Sequence, residues 1–198
     1  MSLVVVAVLG YLLGSIPIAV LVGRRHGIEL RTIGDRNPGY WNAKELLGGR
    51  AALPVLVGDV AKGAAAAALG RWLGDAWWIG DVAAAAAMLG HAWPLFAGFR
   101  GGRSILTFAG AVCVLSPVAA GIAIGACVVV ALASRRSAYG ARVGVFGFPV
   151  AQAFVDPREH VAATGALMCI IGLRFLLAAR TTARTTAQSV TRSAGRQP

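Results

Sequence analysis

Polar residues in this chain do not alternate with apolar ones; they gather between long apolar stretches. Seven such stretches run at Leu3–Val22, Ala51–Gly70, Ala76–Phe96, Ile105–Leu115, Val118–Ala133, Val143–Val155 and Val161–Ala179. Leu3–Val22 carries no charge and is long enough to cross a hydrocarbon layer about 30 Å thick. The pattern predicts an all-α, polytopic integral membrane helix bundle of about seven segments. The stretches near Ile105, Val118 and Val143 are short for full crossings, and a five-span version fits the same pattern. Ile105–Ala133 is too long for one ordinary span, and Ser116-Pro117 marks a turn within it, because proline cannot continue a helical ladder.

Composition agrees with a chain that lives in lipid. The mean hydropathy is +0.69, and 57% of residues are apolar against 14% charged. At 198 residues it is one domain's worth, which we read as a membrane domain over 1–180 followed by a basic tail. The first apolar stretch lacks a basic segment before it, and Arg24 and Arg25 follow it. That order predicts an uncleaved anchor with its N-terminus outside. The tail, residues 181–198, is rich in Thr, Ser and Arg without an apolar face, and is expected to be disordered near anionic headgroups.

A net charge of +11 could suggest a nucleic-acid partner, but its placement excludes one. The loops assigned to the inner side hold six basic residues in Arg24–Arg50, two in Arg100–Arg103, three in Arg135–Arg142 and five from Arg174 onward, sixteen of the nineteen. Arg71 and Arg158 fall outside, with Asp75, Asp81, Asp156 and Glu159. This bias orients the chain with its C-terminus in the cytoplasm. Cys113, Cys127 and Cys169 sit in apolar runs, so neither a disulfide framework nor a metal site is expected, and no cofactor motif occurs. The runs Ala64–Ala68 and Ala83–Ala87 predict close helix–helix contact.

Three polar clusters share the inner side: "RTIGDRNPGYWNAKELLGG" (Arg31–Gly49), "GHAWPLFAGFRGGRS" (Gly90–Ser104) and "SRRSAYGAR" (Ser134–Arg142). Gly101-Gly102 between Arg100 and Arg103 offers backbone N–H groups flanked by guanidiniums, which suits a phosphate oxyanion. The same residues also fit a plain turn whose arginines only follow the positive-inside bias. Asp59 and Lys62, three apart inside an apolar stretch, are expected to pair on one helix face, either to lock packing or to serve chemistry. His91 by itself is ambiguous in the same way.

In this order the clusters resemble the bacterial acyl-phosphate-dependent glycerol-3-phosphate acyltransferases, the PlsY family. "GYLLGSIPIAVLVGR" is similar to the family's opening GSIP helix, "DVAKG" to D-x-x-K-G, and "GHAWPLFAGFRGG" to G-H-x-x-P-x-F-x-x-F-K-G-G. The resemblance implies a multi-pass enzyme of the bacterial inner membrane with a cytoplasmic-side site. It would transfer an acyl group from acyl phosphate to the 1-hydroxyl of glycerol 3-phosphate, giving lysophosphatidic acid for phospholipid synthesis. By the same resemblance Asn37, Asn42, His91, Arg103 and Ser137 are candidate catalytic residues. Arg31, Arg36, Lys62, Arg100, Gly101 and Gly102 are candidate phosphate-binding residues.

The chain also departs from that pattern. Ile33 and Asp35 stand where the family has serines, Glu45 where it has arginine, Arg103 where it has lysine, and Ser104 where it has glycine. Phe175 and Ala178 occupy polar positions of a C-terminal motif. Asp35 and Glu45 are expected to repel a phosphate, and Ser104 to matter if its position needs positive φ. These losses leave a second reading open, a non-catalytic relative that binds lipid, phosphate or a membrane partner. A transporter reading rests on one buried ion pair and no half-helix symmetry.

Overall fold

The uncharged run that opens the chain is not one helix. The computed structural model describes the backbone of residues 2–194 and the side chains through residue 180, and it divides this run into α1 (Leu3–Gly14) and α2 (Ile18–Arg25). Pro17 is the cause: it has no N–H to donate and biases Ile16 away from helical geometry. The polar stretch that follows folds into loops and a short helix, α3 (Tyr40–Leu47). The rest is α4 (Gly49–Leu73), α5 (Ile79–Ala92), a single 3₁₀ turn at Leu95–Ala97, α6 (Ile105–Leu115), α7 (Pro117–Ser134), α8 (Ser137–Val155) and α9 (Arg158–Ala194). No strand occurs among the described residues.

Each of the seven apolar stretches is helical, with α1 and α2 together as the first. Five are long and apolar enough to cross a membrane: Leu3–Arg25, Gly49–Leu73, Ile79–Ala97, Pro117–Ser134 and Arg158–Arg180. Helix α6 is apolar but spans only 11 residues. The break expected at Ser116-Pro117 is present, with Pro117 as the first residue of α7. The tail expected to be irregular over 181–198 runs on as the backbone of α9 to Ala194; its side chains, and residues 195–198, lie outside the described residues.

Small residues set how closely the helices approach. Helix α1 packs on α5, α4 on α5 and α6, and α7 on α8. Both alanine runs serve this purpose, since Ala66, Ala67, Ala83, Ala84 and Ala87 are fully buried. Gly10 and Gly14 of α1 lie against the backbone of Ala83 and Ala87, where a side chain at either glycine would collide with main chain. Between α5, α6, α7, α8 and α9 lies the larger apolar core, with Met88, Phe108, Ala111, Val112, Phe148 and Leu167. The rings of Phe108 and Phe148 meet edge to face at 5.7 Å.

Contacts sort the loops into two groups, one at each end of the bundle. At one end Arg71 donates to the carbonyls of Val114 and Leu115, Ser116 bonds to Asp156, and Trp77 stacks on His160 at 4.4 Å. At the other, Arg31 reaches Ala97, Asp35 reaches Arg103, Lys44 reaches Ser137 and Arg174 reaches Gly101 and Gly102. The three polar clusters of the sequence share this second end.

Candidate functional site

The floor of the site is a buried ionic cluster. Lys62 Nζ lies 2.9 Å from Asp59 Oδ1, one turn away on α4, and both side chains are almost wholly buried. His91 at the end of α5 presents Nδ1 to the same carboxylate oxygen at 3.4 Å. Lys62 also donates to the carbonyl of Ile16 at 3.1 Å, at the break between α1 and α2. The pair expected from spacing alone is therefore a three-residue cluster. It ties α4 and α5 to the interrupted helix.

Above it stands the turn Arg100–Arg103. Gly101 and Gly102 donate their N–H groups to the carbonyls of Ala92 and His91, and their own carbonyls accept from Arg174 of α9 at 2.8 and 3.0 Å. The expectation of free backbone donors at these two glycines is thus corrected: both are consumed in holding the turn to α5 and α9. What glycine supplies is space, because a Cβ at Gly102 would overlap the His91 ring. Ser104, which follows, has φ 62°, so the position does need the left-handed region that glycine adopts freely. The serine offsets the strain by donating its hydroxyl to the Met88 carbonyl at 2.7 Å.

The third wall is the loop between α2 and α3. Asn42 organises it: Nδ2 donates to Leu30 and Ile33 carbonyls and Oδ1 accepts from the Asp35 N–H. Asn42 is only 1% exposed. It therefore positions the loop and does not face the cleft, which corrects its place among the candidate catalytic residues. Arg31 forms a two-point pair with Glu29, Nε to Oε1 at 2.8 Å and Nη2 to Oε2 at 2.6 Å, and gives its remaining nitrogen to Ala97. Hydrogen bonding to Arg31 holds the Glu29 carboxyl down at about 2 and raises the arginine in turn.

Together these elements enclose an open cleft of about 390 Å³, lined by Arg31, Arg36, Asn37, Arg100, Arg103, Arg174 and others. Among the described residues its one acidic lining residue is Asp35, and Asp35 is not bare: its Oδ2 lies 3.2 Å from Arg103 Nη1. Glu45 is exposed on α3 and does not line the cleft, so the expected repulsion from that residue has no geometric basis. Ser137, at the start of α8, is exposed beside Lys44 at 3.3 Å and also lies off the cleft. Lys62, His91 and Gly102 line a narrow recess beneath, which shares Pro38, Arg100 and Gly101 with the cleft. Phe175 lies under the Arg103 guanidinium at 4.7 Å, and Ala178 lines the wall. Ile33 is 47% exposed and contributes its carbonyl to Asn42.

Sequence reasoning passed over Arg174. Its signal was a single charge inside the apolar stretch Val161–Ala179, and a charge there has a cost that only a partner offsets. Its guanidinium also lies over the Trp93 ring at 5.0 Å. No group of His, Cys, Asp and Glu suited to a metal occurs among the described residues.

A sequence model of the family described as Glycerol-3-phosphate acyltransferase matches residues 4–186. The chain belongs to that family. A relative of that name from Rubrobacter xylanophilus is 41% identical over 140 residues, covering 71% of this chain and 70% of its own length. Another family member, from Neisseria gonorrhoeae, is 36% identical over 170 residues, covering 83% and 85%. The fold also matches the crystal structure of PlsY (YgiH), an integral membrane glycerol 3-phosphate acyltransferase, in its glycerol 3-phosphate form. That match has a TM-score of 0.78 at 23% identity and covers 96% of this chain and 94% of that one. Of the six residues that the sequence had marked for phosphate, the cleft gathers Arg31, Arg36, Arg100 and Gly101, while Lys62 and Gly102 line the recess beneath.

Proposed function

We propose that this protein transfers a fatty acyl group from acyl phosphate to the 1-hydroxyl of glycerol 3-phosphate, at the cytoplasmic face of a bacterial inner membrane. As a family member it is a membrane-embedded glycerol-3-phosphate acyltransferase of phospholipid biosynthesis. The alternative of a catalytically inactive relative loses much of its motive, since Glu45 lies off the cleft and Asp35 is paired. The observation that carries the reading is the convergence of Arg31, Arg36, Arg100, Arg103 and Arg174, from three distant parts of the chain, on one cleft. Both proposed substrates are phosphates, and guanidiniums match phosphate oxygens two at a time.

The charges in the cleft are not equivalent. Arg31 is occupied by Glu29 and Ala97, and Arg174 by the Gly101 and Gly102 carbonyls. The side chains of Arg36 and Arg100 make no hydrogen bond or ion pair among the described residues, so we assign them first contact with substrate phosphate. The loop-borne Asn37 lines the same cleft and offers a neutral amide for hydroxyl or phosphate oxygens. Arg103 stands directly before the N-terminus of α6, whose dipole adds to the positive potential.

In the reaction the 1-hydroxyl oxygen bonds to the acyl carbon, the carbon–oxygen bond to phosphate breaks, and inorganic phosphate leaves. The hydroxyl proton goes to the departing phosphate, so no side chain needs to act as nucleophile. Catalysis is then alignment of two anions and neutralisation of the charge that develops. The buried cluster of Asp59, Lys62 and His91 supports the floor on which the turn rests. For the acyl chain we assign an apolar groove that begins near Ile105, two residues past Arg103, and continues along Trp41, Phe108, Val112, Ile124 and Phe148.

The test is direct. Detergent-purified protein is given palmitoyl phosphate and glycerol 3-phosphate, and inorganic phosphate and lysophosphatidic acid are followed together. Equal release of both supports the reading. Folded, monodisperse protein that yields neither product overturns it.

A further inference from the structure

Two of the positions at which this chain departs from its family's pattern, Asp35 and Phe175, both meet a third, Arg103. Asp35 Oδ2 accepts from Arg103 Nη1 at 3.2 Å, and the Arg103 guanidinium lies over the Phe175 ring at 4.7 Å. The other oxygen of Asp35 accepts from the Asn37 N–H at 2.9 Å, inside the same loop. Arg103 Nε is buried and makes no hydrogen bond, which leaves the Asp35 carboxylate as the guanidinium's hydrogen-bond partner among the described residues. A planar guanidinium can rest its face on a ring while its edge stays free for an anion, and a lysine could not do both.

Two arginines of this cleft thus meet a carboxylate, on very different terms. Arg31 is held by Glu29 through two short bonds, a geometry with little reason to open. Arg103 is held by Asp35 through one longer bond between side chains 26% and 37% exposed. Pairs of the second kind are weak, and a doubly charged phosphate outcompetes a single carboxylate for the same donors.

We propose that Asp35 sets the affinity of the cleft for phosphate by engaging Arg103, so that a substrate phosphate gains Arg103 only by displacing the carboxylate, while Phe175 keeps the guanidinium in place during the exchange. Asp35 is then a specificity residue acting through Arg103: it screens out weakly bound anions and releases Arg103 to a phosphate already gripped by Arg36 and Arg100. The identity of that phosphate as glycerol 3-phosphate or acyl phosphate rests on the acyltransferase reading; the exchange itself does not.

The experiment compares the full-length native protein with Asp35→Asn, Arg103→Gln and the double variant in detergent. Binding of inorganic phosphate is measured by calorimetry, and the KM for glycerol 3-phosphate is measured beside it. We expect Asp35→Asn to tighten phosphate about threefold to tenfold and to lower KM by more than it changes kcat. In the Arg103→Gln background the same change should tighten nothing. Unchanged or weaker phosphate binding in Asp35→Asn overturns the proposal, as does equal tightening with and without Arg103. If Asp35→Asn does not fold, Phe175→Leu serves instead: phosphate binding weakened severalfold upholds the exchange, and unaltered binding overturns it. Tightening in a protein without acyl transfer upholds the role of Asp35 and sinks the acyltransferase reading. Acyl transfer with phosphate affinity indifferent to Asp35 does the reverse.

Discussion

Lys62 places its ammonium 3.1 Å from the carbonyl oxygen of Ile16, 46 residues earlier in the chain. That carbonyl sits where Pro17 interrupts the helix and also accepts from the Ile18 N–H at 3.1 Å, so the lysine adds a second donor to it and ties α4 to the break. The same ammonium neutralises Asp59 at 2.9 Å. One side chain thereby ties the helix break to a buried charge.

Removing it should be costly. Lys62→Met leaves Asp59 with, among the described residues, only His91 beside it, and we expect a loss of about 3–5 kcal/mol in stability. Asp59→Leu together with Lys62→Met should lose less than either single change, because no lone charge remains buried. Thermal unfolding of the detergent-solubilised variants checks both. A double variant less stable than the singles would contradict the account.

Arg36 and Arg100 carry the strongest expectation for binding. Each is free to meet phosphate, and hydrogen bonds to a charged group contribute about 1.5–3 kcal/mol. Arg36→Ala and Arg100→Ala should each raise the KM for glycerol 3-phosphate by about tenfold to a hundredfold. Glu45→Gln, exposed on α3 and off the cleft, should leave KM within about twofold of the native value. A large gain in affinity on losing Glu45 would mean that α3 lies closer to the substrate than its position here.

Ser104 offers a test of backbone strain. Its φ of 62° is disfavoured for any residue with a Cβ, and its hydroxyl bond to Met88 offsets that cost. Ser104→Ala keeps the strain and loses the bond, so we expect about 1–3 kcal/mol of destabilisation. Ser104→Gly loses the bond and the strain together and should be the milder change. Midpoints of thermal unfolding that rank alanine above glycine would refute this.

Acid should find Glu29 before it finds the rest of the loop. The Arg31 bond holds this carboxyl at about 2 in the folded protein against an ordinary value of 4.5. A folded-state value below the unfolded one means the pair contributes fully above about pH 4.5, and its contribution drains away as pH falls toward 2. Glu29→Gln should therefore be less stable than the native protein near neutrality, with the two curves converging between pH 4.5 and 2. Thermal midpoints recorded across that range decide it, and a constant offset down to pH 2 would exclude the linkage.

Much of the architecture was legible in the chain alone. Apolar stretches of about twenty residues have one stable form in lipid, a helix that satisfies its own backbone, so the all-helical character and the position of the helices followed from hydropathy. The alanine runs foretold close packing because small side chains have no other use at a helix crossing. Asp59 and Lys62 announced their pairing through spacing and the cost of a lone charge in an apolar stretch. The breaks at Pro17 and Ser116-Pro117 come from proline, although only the second was read from the chain.

What only the tertiary structure decided is which polar atoms were already spent. Residue types and spacing show that Gly101, Gly102 and Asn42 can donate hydrogen bonds. They cannot show that Ala92, His91, Leu30 and Ile33 take those bonds. Nor can they reveal that Asp35 meets Arg103 across 68 residues, or that Arg174 reaches over from α9 to hold the glycine turn. Hydropathy and helix geometry are local properties that each segment carries with it. The charge balance of the cleft belongs to residues brought together only by folding, and a hydrogen bond has no existence until both partners arrive.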